Sequence, residues 1–119
     1  LDITKTGNEF TAVQNKFAGV WSSIANTFAD YDQKLIFEGF NELNNGNYNS
    51  TPNQTETDNV NSLNETFVNT VRNSGVKNTD RLLIVSGYNA DINDTKNSFV
   101  KPNDTSANRL MLSVHYYVG

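Results

Sequence analysis

The sequence predicts an α/β fold in which parallel strands alternate with helices. Three apolar runs have the length of strands, at residues 35–41, 81–86 and 110–115. Two longer segments, 9–31 and 57–73, repeat apolar residues every three or four positions, as one face of a helix requires. The order helix, strand, helix, strand, strand is typical of βαβ units that are joined by right-handed crossovers.

The two helical segments each present one apolar stripe. In the first, 9–31, seven residues make up the stripe: Phe10, Val13, Phe17, Val20, Trp21, Ile24 and Phe28. Because Trp21 lies on that stripe, we interpret it as a packing residue and not as a platform for a sugar ring. In the second, 57–73, four residues share the stripe: Val60, Leu63, Phe67 and Val71. Gly75 suits the carboxyl-terminal cap of this helix. Residues 87–108 lack strong periodicity and have room for one short helix.

Two of the predicted strands end in groups that can hold or move protons. The first strand ends in Asn41 and Glu42, and the last strand runs into His115 and Tyr117. Functional groups of α/β proteins collect at the carboxyl ends of parallel strands, where the following loops build the site. We therefore expect these four side chains to converge at one end of the sheet.

The alternation of side chains along a strand is compatible with such a site. On the first strand, Glu42 lies on the same face as Glu38, about one layer higher. On the last strand, His115 and Tyr117 share one face. The opposite face of that strand is expected to pack under helices through two residues, Leu112 and Val114.

Composition excludes several classes of function. The chain has 119 residues, a hydrophobic fraction of 36% and a net charge of −4. The acidic balance argues against nucleic acid as a partner, since phosphate binding needs a basic face. No apolar stretch approaches the ~20 residues that span a bilayer, so no membrane partner is predicted. Because the chain has no cysteine and a single histidine, we expect neither a disulfide nor a metal site.

Four motifs in order give the chain a family resemblance. They are residues 21–32 (Trp-Ser-Ser-Ile-Ala and Phe-Ala-Asp-Tyr-Asp), 35–42 (Leu-Ile-Phe-Glu-Gly-Phe-Asn-Glu), 83–90 (Leu-Ile-Val-Ser-Gly-Tyr-Asn-Ala) and 113–117 (Ser-Val-His-Tyr-Tyr). Across nearly the whole chain they resemble glycoside hydrolase family 5, and especially the endoglucanases and xyloglucanases of its subfamily 4. Leu43 departs from the pattern, since many members have proline there, but that proline shapes the loop and not the chemistry.

The resemblance implies a portion of a (β/α)8 TIM barrel, running roughly from helix 3 to strand 6. A closed eight-stranded barrel typically needs ~250 residues, about twice the length of this chain. We therefore expect residues 1–119 to be one partial catalytic domain, incomplete at both ends. The remaining barrel segments would then be partners that cover the exposed strand edges.

The resemblance also assigns chemical roles. Glu42 is implied to be the acid/base of a retaining glycosidase, with a pKa that a nearby second carboxylate raises. Asn41 is implied to hydrogen-bond the 2-hydroxyl of the sugar at the cleavage point. His115 and Tyr117 are assigned to the same subsite, where the tyrosine hydroxyl orients the nucleophile. That nucleophile is a glutamate of the seventh strand, which we expect to lie outside this sequence. The family chemistry needs no cofactor and no metal.

Four further residues are weaker candidates. Glu38 lies inside an apolar strand, so it must be paired or protonated if it is buried, and we interpret it as a structural residue of the barrel floor. Tyr88 and Asn89 follow another strand end and could touch substrate, and Tyr48 lies in the preceding loop.

The implied function is that of a secreted, retaining endo-β-1,4-glucanase acting on cellulose-like or mixed-linkage glucans or on xyloglucan. The 119-residue chain alone is expected to be inactive because it carries one half of the catalytic pair. Two alternatives stay open. A noncatalytic carbohydrate-binding module predicts stacking aromatics on a β-sandwich face. A flavodoxin-like interaction domain predicts a complete sheet and a Gly-rich phosphate-binding turn.

Overall fold

A computed structural model describes residues 1–118 as a three-stranded parallel sheet packed against helices. The elements in chain order are α1 (Gly7–Thr27), β1 (Phe37–Glu38), α2 (Gln54–Asn73), β2 (Leu83–Ser86), α3 (Ile92–Ser98) and β3 (Leu110–Ser113). Two 3₁₀ turns, Val76–Thr79 and Tyr88–Ala90, flank β2. The parallel pairing in the order β1-β2-β3 confirms the predicted βαβ arrangement. Within residues 1–118, none of the helices combines the length and the apolar character needed to cross a membrane.

The register divides the sheet into a covered face and an open face. Phe37 pairs with Leu83, which in turn pairs with Leu110, so these side chains point to the same side. Phe37 and Leu83 are buried there beneath α1 and α2. Glu38, in register with Ile84, points to the other side and is exposed. The open face is the one that a closed barrel would turn inward.

Trp21 is the centre of the aromatic core between the helices and β1. Its ring lies 4.5 Å from that of Phe67 and 5.6 Å from that of Phe37, and it is 8% exposed. The indole N–H donates to the main-chain oxygen of Gly39 at 3.2 Å, which ties α1 to the end of β1. A Cβ atom on Gly39 would lie 3.0 Å from the Phe67 ring, so the strand can approach α2 because it carries glycine there. The prediction that Trp21 is a packing residue is confirmed.

Both long helices differ from prediction at one end. The second begins at Gln54, earlier than the expected residue 57, because Asn53 and Glu56 form a capping box in which each side chain bonds the other's main-chain N–H. The first ends at Thr27 and not at residue 31. Beyond it, a distant side chain, Arg81, donates to the Phe28 and Tyr31 oxygens, and the Phe28 oxygen also accepts from the Tyr31 N–H in a turn.

The strands are shorter than predicted, and one face is less covered. β1 is a two-residue strand where 35–41 was expected, although Gly39 N–H still donates to the Ile84 oxygen. Leu112 and Val114 were expected to pack under helices, but they are 49% and 42% exposed. That expectation was wrong for residues 1–118, because α1 and α2 lie over β1 and β2 and leave this side of β3 uncovered.

Arg81 fastens the amino end of the sheet. This side chain is fully buried, and its guanidinium donates to four main-chain oxygens, those of Phe28, Tyr31, Asp32 and Leu35. Its Nε donates to the Asn78 amide oxygen at 2.8 Å, and its charge lies 4.9 Å from the centre of the Phe37 ring. One cation therefore satisfies the chain between α1 and β1, which has no regular structure of its own.

A second buried arginine extends this network. Arg72 makes a two-pronged ion pair with Asp104, with N–O distances of 2.7 and 2.9 Å, and both side chains are almost fully buried. Its remaining nitrogen donates to the main-chain oxygens of Asn78 and Arg81. The pair links α2 to the segment that leads into β3, so the amino ends of all three strands are held together.

Candidate active site

Main-chain hydrogen bonds join the three loops at the carboxyl ends of the strands. The Asn89 N–H, after β2, donates to the Leu43 oxygen, after β1, at 2.8 Å. The His115 N–H, after β3, donates to the Ala90 oxygen at 2.9 Å. The three loops are thereby held in register with one another, and polar side chains from all of them meet at one edge of the sheet.

Glu42 lies at the centre of this edge. Its Oε1 accepts a hydrogen bond from His115 Nδ1 at 2.7 Å and another from the Tyr117 hydroxyl. The Glu42 side chain is 16% exposed and that of His115 is 30% exposed, so the carboxylate is partly shielded but open to a ligand. The expected meeting of Glu42 with His115 and Tyr117 is what the structure contains. The chemical roles of these residues stay predictions.

The two donors determine the electrostatics of the carboxylate. The hydrogen bond from Tyr117, and after it that from His115, lowers the pKa of Glu42, while desolvation acts in the opposite direction. The same carboxylate raises the pKa of Tyr117, because ionising the hydroxyl would lose the bond and place two negative charges together. A general acid at neutral pH needs a raised pKa. The shift within residues 1–118 is therefore opposite to the one expected, because it comes from hydrogen-bond donors and not from a second carboxylate.

The Tyr117 hydroxyl has a partner within residues 1–118, while its implied partner, the nucleophile, is expected to lie outside this sequence. The hydroxyl was expected to orient the nucleophile, whereas here it donates to Glu42. The two arrangements predict different pH profiles for Tyr117→Phe in the complete enzyme. If the hydroxyl bonds Glu42, its loss raises the pKa of Glu42, the acid stays protonated to higher pH, and the alkaline limb of kcat/KM moves upward. If it bonds the nucleophile, the acidic limb moves upward instead. A pH series of kcat/KM for mutant and wild type separates the two, and an unchanged alkaline limb would contradict the contact with Glu42.

Two openings flank Glu42. One, of about 250 Å³, is lined by Glu42, Tyr48, Asn89, Asp91, His115 and Tyr117. The other, of about 480 Å³, includes Asn41, Glu42 and Tyr48 in its lining. Asn41 is exposed and lines this second opening, whereas His115 lines the first. Glu42 thus borders both spaces.

The weaker candidates fall into two groups. Asn89 and Tyr48 line the cavities, and the Tyr48 side chain is 64% exposed. Tyr88 does not, since it is 1% exposed and its hydroxyl is used inside the loop by Ser50 and by the Asn45 N–H. The suggestion that Tyr88 touches substrate was wrong, because the strand end turns this side chain into the core.

Glu38 lies on the open face of the sheet, the face that a closed barrel would turn inward, and within residues 1–118 it is exposed. Its interpretation as a structural residue of the barrel floor stays a prediction. The sequence analysis missed Asn44 and Asp91. Asn44 bonds the main chain of Glu42, and Asp91 lines the smaller opening while capping α3. In a chain this rich in asparagine, no local signal distinguishes Asn44 from its neighbours. Among residues 1–118, no group of three or more His, Asp or Glu side chains is arranged to hold a metal ion.

Comparison with known proteins identifies the family. Residues 2–119 match the family Cellulase (glycosyl hydrolase family 5). The chain belongs to this family. It is 40% identical over 115 residues to endoglucanase A of Paenibacillus barcinonensis, an alignment that covers 88% of this chain and 28% of the relative. The expected family resemblance is confirmed.

Solved structures of the family share the fold. A GH5-4 broad specificity endoglucanase from Bacteroides salanitronis superposes with a TM-score of 0.87 at 38% identity, covering 91% of this chain and 30% of that one. A Bacteroides ovatus GH5 xyloglucanase in complex with a XXXG heptasaccharide gives 0.88 at 37% identity, covering 94% and 24%. These neighbours include subfamily 4, and the chain is part of a (β/α)8 barrel, as predicted. The chain spans less than a third of each of these three relatives.

Proposed function

We propose that this segment supplies the acid/base half of the active site of a retaining endo-β-1,4-glucanase. The observation that carries the proposal is the Glu42 carboxylate, which β1 presents between two cavities while β3 supplies hydrogen-bond donors to it. Membership of glycosyl hydrolase family 5 supports glycosidic bond cleavage as the reaction.

The proposed mechanism has two steps. In the first, Glu42 donates its proton to the glycosidic oxygen while a second carboxylate attacks the anomeric carbon. The two carboxyl groups would lie about 5–5.5 Å apart. In the second, Glu42 takes a proton from water, whose oxygen then displaces the enzyme from the sugar. We place the second carboxylate on another part of the barrel, since the chain spans less than a third of each of the three relatives described above. Its charge would raise the pKa of Glu42 and offset the two donors.

The remaining predicted residues fit around that chemistry. Asn41 would hydrogen-bond the 2-hydroxyl of the sugar, a contact that strengthens in the transition state. His115 and Tyr117 hold Glu42 at a fixed angle. The proposed substrates are β-glucans, with xyloglucan among them because the Bacteroides ovatus neighbour carries a xyloglucan heptasaccharide. Such polymers do not cross membranes, so we propose that the enzyme acts outside the cell.

The two alternative functions lack support. A carbohydrate-binding module would need a β-sandwich, which is built from antiparallel sheets, whereas all three strands within residues 1–118 are parallel. A flavodoxin-like domain would need a Gly-rich phosphate-binding turn after its first strand. β1 is instead followed by Asn41 and Glu42.

The stereochemistry of the product tests the proposed mechanism. The complete enzyme should release a β-configured reducing end from a β-glucan, observable by NMR before mutarotation, because two displacements restore the original configuration. An initial α-product would overturn it. The isolated 119-residue chain is the control and should release no reducing sugar above background. Enzymatic rates from that chain alone would place the nucleophile within it.

A further inference from the structure

Backbone strain is concentrated around the candidate acid/base. Glu42 has a φ of 29°, and the facing loop holds Asn89 at 54° and Ala90 at 51°. Residues with a side chain seldom adopt these angles, and each costs on the order of 1–3 kcal/mol. Such a conformation persists only where the surroundings enforce it, and it is found preferentially at functional sites. The Glu42 side chain therefore points as it does because something holds its peptide unit.

One side-chain amide makes the contacts that hold it. The Asn44 Nδ2 donates one hydrogen to the Glu42 main-chain oxygen at 2.9 Å and the other to the Asn89 Oδ1 at 3.1 Å. The Asn44 Oδ1 accepts from the Gly46 N–H at 2.8 Å. Both donors and the acceptor of this half-buried amide are thus used. Its bonds connect the strained peptide after β1 to the strained turn after β2.

We propose that Asn44 is a positioning residue for Glu42, acting together with Asn89 as a clamp on the main chain of the acid/base. The inference rests on the proposed role of Glu42. Without the clamp, the Glu42 peptide can relax toward ordinary backbone angles, and that rotation swings the carboxyl group away from the glycosidic oxygen. A displacement of about 1 Å costs on the order of 10²-fold in rate.

The alternative interpretation is that Asn44 is only structural: it closes a turn by accepting a hydrogen bond from Gly46, and does nothing for Glu42. Asn47, in the same loop, provides a matched comparison. Its Oδ1 accepts from the Asn49 N–H at 3.0 Å, but this exposed side chain does not contact Glu42 or Asn89. Aspartate at either position keeps the turn-closing acceptor and adds one negative charge. Only at position 44 does aspartate also remove two side-chain hydrogens that bond Glu42 and Asn89.

The test compares Asn44→Asp with Asn47→Asp in the complete enzyme on two substrates. One is an unactivated cello-oligosaccharide, whose leaving oxygen must be protonated. The other is a dinitrophenyl cellobioside, whose leaving group departs without an acid. We use kcat/KM because it reports the first step alone, before water enters. Asn44→Asp should lose ~10- to 100-fold on the oligosaccharide and far less on the aryl substrate. Asn47→Asp should resemble wild type on both.

The ratio of the two kcat/KM values does not depend on how much of the enzyme is correctly folded. If Asn44→Asp folds poorly, its uncharged counterpart Asn44→Ala gives the same ratio. Equal losses on both substrates would reduce Asn44 to a structural residue, and wild-type behaviour of Asn44→Asp would also overturn the clamp. Glu42→Gln is assayed alongside. If Glu42→Gln retains activity on the oligosaccharide, the proposed role of Glu42 is wrong. If Glu42→Gln loses that activity while Asn44→Asp keeps it, only the proposed clamp is wrong.

Discussion

Replacing Glu42 by glutamine in the complete enzyme should lower kcat/KM on unactivated β-glucans by ~10²–10⁴-fold. Glutamine keeps the shape of the side chain but can neither give nor take a proton. The His115 and Tyr117 hydrogens that now donate to Oε1 can still donate to the amide oxygen, so the fold should be retained. Reducing-sugar release from carboxymethylcellulose, with circular dichroism as the check on folding, measures the effect.

Two controls make this loss specific to proton transfer. An aryl glycoside with a good leaving group should glycosylate the nucleophile of Glu42→Gln nearly as fast as that of wild type, releasing its phenolate without protonation. Its turnover, then limited by attack of water, should be partly restored by azide, a nucleophile that needs no general base. Glu9→Gln, at a side chain that is 72% exposed on α1, is the matched substitution and should leave activity on both substrates close to wild type. Full activity of Glu42→Gln on carboxymethylcellulose would assign the acid to another residue.

Arg81→Met should destabilise the fold by about 3–5 kcal/mol, although Arg81 lies far from the chemistry. Methionine fills a similar volume but donates to none of the four carbonyls that Arg81 binds. The Phe28 and Asp32 oxygens keep main-chain hydrogen bonds from Tyr31 and Leu35, whereas the Tyr31 and Leu35 oxygens lose the donor that satisfies them. Each unsatisfied buried group costs about 1–3 kcal/mol, and part of this is recovered where the chain relaxes toward water. Thermal unfolding of the complete enzyme should show a midpoint lowered by on the order of 10 °C.

Arg109→Met is the control for that substitution. Arg109 pairs with an aspartate, Asp80, at 2.9 Å, and these two side chains are 46% and 54% exposed. A solvent-exposed ion pair contributes little to stability, so the midpoint should hardly move. If the two arginine variants unfold at the same temperature, the main-chain network around Arg81 does not stabilise the fold.

The order of helices and strands was predictable from sequence because it depends on local periodicity. The apolar stripe of α1 and the apolar run of β2 can each be recognised within a short stretch of sequence. The end of α1 was not predictable in this way. The chain beyond it is held by Arg81, about 50 positions later, whose guanidinium binds the Phe28 and Tyr31 carbonyls. A contact of this kind leaves no pattern near the residues whose structure it changes.

The candidate site was predictable in part for the same reason. Glu42 and His115 follow recognisable strand ends, so their meeting was expected from the topology of parallel strands. The turn after β2 was not expected, because Ala90 with a φ of 51° follows no sequence rule, and this turn is what buries Tyr88. The hydroxyl of Tyr117 was assigned to a carboxylate outside the chain. Within residues 1–118 it binds Glu42, since that is the acceptor within its reach.

The two arginine networks lie at the amino end of the sheet, and the Glu42 carboxylate lies at the carboxyl end. This separation affects how such an enzyme can acquire new substrate preferences. The buried cations hold the amino ends of the strands, while the loops at the other end are joined by few main-chain bonds. Substitutions in those loops can therefore accumulate at little thermodynamic cost. New glucan preferences can arise by drift at the exposed residues 47–49, while the two arginine networks keep the sheet beneath them unchanged.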